Sequence, residues 1–91
     1  MPYINPEDRA MLEPNIKTYA ETAGELNFQI TCLITEYLAY HGLNYQTCND
    51  IVGALDGAKV EFQRRVVAPY EDKKIAQNGD VYPALPFDPA Y

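Results

Sequence analysis

Most catalytic chemistry is excluded by what this chain has little of. It holds a single histidine, His41, placed beside Gly42 where a solvated cation at a helix C-terminus is the plainer expectation than a base. There is no Glu-x-x-His pair, no His-Glu-x-x-His run and no Cys or His pair at zinc spacing, so no metal site and no cofactor are expected. A glycine-rich phosphate loop is also missing. The stretch GALDG, residues 53–57, lacks the lysine of such a loop and falls inside a helical pattern rather than after a strand. The carboxylates Glu25, Glu36, Asp50, Asp56 and Glu61 are spread singly, which argues against the clustered magnesium ligands of all-helical pyrophosphohydrolases.

Positive charge is scarce as well. Seven Lys and Arg stand against thirteen Asp and Glu, a net charge of −6. Broad nucleic-acid binding needs clustered cations in excess, and an anionic membrane surface is disfavoured on the same ground. No window reaches the ~18 consecutive apolar residues of a membrane span; the most apolar one, Leu26 to Tyr40, is interrupted by Asn27, Gln29 and Glu36. The start MPYINPEDR lacks the basic and apolar regions of a secretory signal, so a cytoplasmic protein is expected. Cys32 and Cys48 would lie more than ~10 Å apart along two antiparallel helices turning near Gly42, beyond the ~7 Å reach of a disulfide, and are expected as free thiols.

What is present is helical and apolar. Asn5 followed by Pro6, Glu7 and Asp8 reads as a capped helix start, with Ile4 as a staple. Pro14 should kink or split that segment, whose inward residues would be Met11, Leu12, Ile16 and Tyr19. Gly24 and Gly42 bracket ELNFQITCLITEYLAYH, with Leu26, Ile30, Leu33, Tyr37 and Tyr40 spaced by four, three, four and three. Thr47 and Asp50 resemble a capping box for a third helix carrying Ile51, Leu55, Ala58, Phe62 and Val66 on one stripe and ending or kinking at Pro69. Gly53, Ala54, Gly57 and Ala58 form a small-residue face beside that stripe, and for its two glycines close approach by the preceding helix is the favoured reading over tolerated surface glycines. A short helix from Pro69 closes at Asn78 and Gly79. Prolines 83, 86 and 89 then impose an extended tail that still carries Val81, Tyr82, Leu85, Phe87 and Tyr91, too apolar for a mere solvating linker.

The stretch RRVVAPYEDKK, residues 64–74, draws attention because five of the seven basic residues fall within 59–74. Lys59, Arg64, Arg65, Lys73 and Lys74, beside Tyr70, would suit a phosphate with a stacked base or a carboxylate-rich surface. Helix-end placement and pairing with acidic neighbours such as Glu61, Glu71 and Asp72 is the plainer account.

Residues 43–82, through Asn44–Tyr45, EFQRR at 61–65, PYEDK at 69–73 and NGDVY at 78–82, resemble a family of small uncharacterised proteins of bacteria and their phages. That resemblance marks residues to watch and implies no activity. In size and hairpin character, though without a shared motif, the chain is also similar to small phage proteins that sequester cyclic nucleotides.

The expectation is an all-α protein: an antiparallel helical hairpin with a kinked N-terminal helix, a short C-terminal helix and a proline-punctuated tail. Residues 1–80 would form one helical domain, and 81–91 would dock on the chain itself or on a neighbour. At 91 residues a lone core is marginal, so a homo-oligomer is expected, with Gly53, Gly57, Tyr82, Leu85, Phe87 and Tyr91 as interface candidates. A non-enzymatic binding or assembly module is favoured, its partner itself, another protein or a small anionic ligand. A nucleotide sponge using Lys59, Arg64, Arg65, Tyr70, Lys73 and Lys74 is the main alternative, and a small all-α enzyme comes third.

Overall fold

The structure is a computed structural model and describes residues 4–13 and 18–83. The fold is all-α, with no strand among the described residues. Helix α1 spans Pro6–Leu12, α2 Ala23–His41, α3 Tyr45–Phe62 and α4 Ala68–Asn78, with a π-helical turn over Gln63–Val67. The chain divides into two units, Met1–Ala58 and Lys59–Tyr91.

In the first unit each helix begins at a side-chain cap, because the first N–H groups of a helix have no partner within it. Asn5 accepts the Asp8 N–H at 2.9 Å while its own side-chain amide donates to the Asp8 carboxylate at 3.0 Å. Thr22 accepts the Glu25 N–H at 3.1 Å, and Glu25 reaches back to accept the Glu21 N–H at 3.0 Å, a reciprocal cap that starts α2 at Ala23. Asn44 accepts the Thr47 N–H at 2.8 Å and starts α3 at Tyr45. The capping box expected at Thr47 and Asp50 is therefore not made. Thr47 lies inside the first turn and is 3% exposed, the only buried residue among those described.

Glycine and proline set the other ends. Gly42 closes α2 at φ 83°, donating its N–H to the Leu38 carbonyl at 2.8 Å, in a region where a side chain is strained. Helix α1 stops at Leu12, and Glu13 is extended (φ −54°, ψ 130°), as a residue preceding proline tends to be. Met11, Leu12 and Tyr19, expected to face inward, are instead exposed, since no element of the unit covers them; Ile16 lies outside the described residues.

In the second unit the break expected at Pro69 takes another form. The backbone stays helical from Lys59 to Asn78, and just ahead of Pro69 the hydrogen bonding widens to a π turn in which the Ala68 N–H donates to the Gln63 carbonyl. Pro69 then falls in the first turn of α4, where its missing N–H and its ring are tolerated. Helix α4 ends as expected at Asn78, with Gly79 at φ 86° donating to the Ile75 carbonyl at 2.8 Å. Of the expected tail, Leu85, Phe87 and Tyr91 lie outside the described residues, and Tyr82 is exposed.

No hydrophobic side chain among the described residues is buried. Leu26, Leu33, Leu55 and Phe62 all remain exposed on helices that carry them at core spacing, and Phe28 and Val52, off those stripes, are exposed as well. Isolated helices of this length are marginal in water, and most helical stability in proteins comes from packing of an apolar face. Here the faces are present, and among the described residues no packing buries them.

Candidate functional site

Two features hold the side chains singled out by sequence: a groove in the first unit and the basic cluster of the second. The groove, about 420 Å³, is lined from α2 by Ile30, Leu33, Ile34 and Tyr37 and from α3 by Asp50, Ile51, Ala54, Leu55 and Ala58. Both helices thus turn their apolar stripes toward one concavity. Ile30 is 38% exposed, Leu33 63%, Tyr37 38% and Leu55 40%, so the lining is only partly covered.

Asp50 is the one carboxylate in that lining, and it is engaged. Its two oxygens accept from the Tyr37 hydroxyl at 3.2 Å and from the Gln46 side-chain amide at 2.7 Å. Partial removal from water, and then the hydrogen bond to this carboxylate, raise the Tyr37 phenol above its ordinary value of 10.0. Tyr37 also lies against His41, ring centroids 4.1 Å apart, and Tyr40 meets the same imidazole edge-on at 4.9 Å. His41 is thereby held as a ring between tyrosines at the end of α2. Cys32 and Cys48 are free and exposed.

The glycine face is open. Apart from the helix's own backbone, none of the described residues comes within 4 Å of a Cβ built at Gly53 or Gly57, so the close approach expected from the preceding helix is not made at these glycines. The reason is angular: at about 100° per residue, Gly53 and Gly57 lie roughly 90° or more around α3 from the Ile51, Ala54, Leu55 and Ala58 side that faces α2.

In the second unit all six candidate anion ligands, Lys59, Arg64, Arg65, Tyr70, Lys73 and Lys74, are exposed. Three of them, Arg64, Tyr70 and Lys74, are engaged locally. The Arg64 guanidinium grips Glu61 through Nε (3.3 Å) and Nη2 (3.0 Å), and the Lys74 ammonium stands 5.5 Å from the centre of the Tyr70 ring. A concavity of about 300 Å³ at the end of α4 includes one of the six, Lys74, together with Glu71 and Asp80. Those two carboxylates do not favour an anion there. No group of three or more His, Cys, Asp and Glu side chains among the described residues is arranged to hold a metal ion. None of the described helices is long and apolar enough to cross a membrane.

Sequence reasoning missed three of these features. The Thr-x-x-Glu of Thr22–Glu25 was readable as a capping box, and Asn44 three residues before Thr47 as a cap. The Tyr37–Asp50 bond, across thirteen residues, has no local signal.

The class defined by these observations is a small all-α protein whose helices line up apolar stripes without sealing a core. Residues 1–81 match the family described as a domain of unknown function, DUF6899, and the chain belongs to that family. Neither a curated protein nor a solved structure matches it.

Proposed function

We propose that this protein is a non-enzymatic binding and assembly module, a homo-oligomer whose helices α2 and α3 form an antiparallel hairpin and complete their core against another chain. One observation carries this: among the described residues no hydrophobic side chain is buried, although apolar residues make up 47% of the sequence. Ordering each residue costs roughly 1–2 kcal/mol of conformational entropy, and apolar burial at about 25 cal/mol per Å² is the main term that offsets it. A chain that buries so little by itself draws that term from a partner, and exposed apolar patches of this kind mark interaction sites. A bacterial or phage origin and a cytoplasmic setting belong to the same reading, on the motif resemblance of residues 43–82.

The rival reading, an anion or nucleotide sponge at Lys59, Arg64, Arg65, Tyr70, Lys73 and Lys74, draws less support. The Glu61 carboxylate already satisfies Arg64, and Lys74 shares its concavity with two carboxylates. Native mass spectrometry of protein purified from its source cells, before and after denaturation, separates the two. A symmetric oligomer without added mass is the expected result. An oligomer that releases a small molecule on denaturation would favour the sponge, and a bare monomer would refute assembly.

A further inference from the structure

We infer that the groove between α2 and α3 is the seat of a second copy of this chain, two helix pairs closing face to face with their apolar stripes inward. This rests on the assembly reading and deepens it by assigning the contact to one groove, its lining residues and a face-to-face closure. The stripes set the geometry. Leu26, Ile30, Leu33 and Tyr37 on α2, and Ile51, Leu55 and Ala58 on α3, follow the alternating spacing of four and three that packs helices at a shallow crossing of about 20°. Nothing else described in the unit fills the role: α1 is seven residues long, exposed throughout, and absent from the groove lining. A partner must present apolar stripes along helices as long as α2 and α3, roughly 27 Å at 1.5 Å per residue, and a second copy presents two.

The area agrees. At roughly 150–200 Å² for a large apolar side chain, the exposed fractions of Leu26, Ile30, Leu33, Tyr37 and Leu55 leave on the order of 400 Å² of apolar surface in and beside the groove. Ile34, Ile51, Ala54 and Ala58 add to it. A standard interface takes about 800 Å² from each partner, somewhat more than half of it apolar, so this face supplies what one symmetric contact needs.

Charge permits the same partner. Two copies at −6 each repel, which makes a charged face a poor seat for a like chain. The one carboxylate in the lining, Asp50, already accepts hydrogen bonds from Tyr37 and Gln46. Glu25 and Glu36 lie about 90° or more around α2 from the stripe, and Asp56 lies on the far side of α3. A two-fold axis through the groove would therefore bring apolar surface together and leave most of the acidic surface in water.

The test is the mass in solution of the full chain, by sedimentation equilibrium. Wild type is expected at a multiple of the chain mass. The double variant Leu33→Glu with Leu55→Glu should associate at least about thirtyfold more weakly, as loss of a central contact does. Phe28→Glu, on the opposite flank of α2, should keep the wild-type mass. Because the acidic variant could also lose its helices, it is mixed with Leu33→Lys/Leu55→Lys: restored mass in the mixture, with neither variant associating alone, places these residues against a second copy whichever of them face each other. Wild-type mass retained by the groove variants, with loss on Phe28→Glu, overturns the groove and spares the assembly reading. A monomeric wild type overturns both.

Discussion

Replacing Asn44 with alanine should destabilise the protein more than any other single cap, and the size of the effect follows from two facts. The Asn44 side chain accepts the Thr47 N–H at 2.8 Å, and Thr47 is only 3% exposed. Losing an N-cap costs about 1 kcal/mol where water can take over the freed N–H. Here water is largely excluded, and an unsatisfied buried donor adds about 1 kcal/mol more. For a domain of this size each kcal/mol moves the melting temperature by about 4–8 °C, so Asn44→Ala should melt roughly 10 °C lower. The assay is thermal unfolding followed by circular dichroism at one fixed protein concentration, since an associating protein melts in a concentration-dependent way. Asn44→Asp keeps the acceptor and adds a charge favourable to a helix N-terminus, so it should stay within about 0.5 kcal/mol of wild type. An alanine variant within about 2 °C of wild type, on the same scale, would refute the reasoning, as would an aspartate variant as damaged as the alanine one.

Other perturbations read other parts of the molecule. Gly57→Ala places a methyl group where nothing stands within 4 Å and removes up to ~1 kcal/mol of helix-propensity cost, so it should raise the melting temperature and leave the mass in solution unchanged; a fall in mass would move the interface to the glycine face. Tyr37 should titrate above the ordinary phenol value of 10.0 in an ultraviolet phenolate titration, and Asp50→Asn should bring it back toward that value. Since its folded pKa lies above its unfolded one, the stability it contributes is present below pH 10 and is lost as pH rises through the folded value, and an unaltered titration curve in Tyr37→Phe would contradict this. A double-mutant cycle of Arg64→Ala and Glu61→Ala, read by chemical denaturation, should give a coupling of about 0.3–0.5 kcal/mol for their surface pair; a coupling above ~2 kcal/mol, far outside the range of exposed pairs, would refute that reading of the pair.

Much of the fold was legible because its signals are local. Gly42 and Gly79 end helices where the sequence put them, and Asn5 with Pro6 starts one. The stripe from Leu26 to Tyr37 fixed which side of α2 faces α3. Burial was not legible, since a stripe says that a residue wants cover and not which chain supplies it: Met11 and Leu12 carry the right spacing and stand in water. The third helix started earlier than expected because Asn44 competes with Thr47 for the role of cap, and a cap two or three residues upstream adds a turn of helix at little cost. Near Pro69 the rule that proline ends a helix was too strong, because a π turn just ahead of it relieves the clash without stopping the chain. For the basic cluster, the sequence already offered Glu61 as a partner, and the structure pairs it with Arg64.

The open groove also bears on how quickly the protein matures. Among the described residues nearly all the hydrogen bonds join residues no more than five apart, and helices built on such contacts form within microseconds. On the assembly reading proposed above, meeting a second chain is then the slow event, second order in protein, between bodies that each carry −6 and so repel at a distance. Added salt should screen that repulsion and speed refolding, whereas partners of opposite charge are slowed by salt. Stopped-flow refolding at several ionic strengths and chain concentrations reads both dependences. For such a protein the cell's salt and the rate of synthesis, more than the helices themselves, decide how long the apolar seam stays exposed.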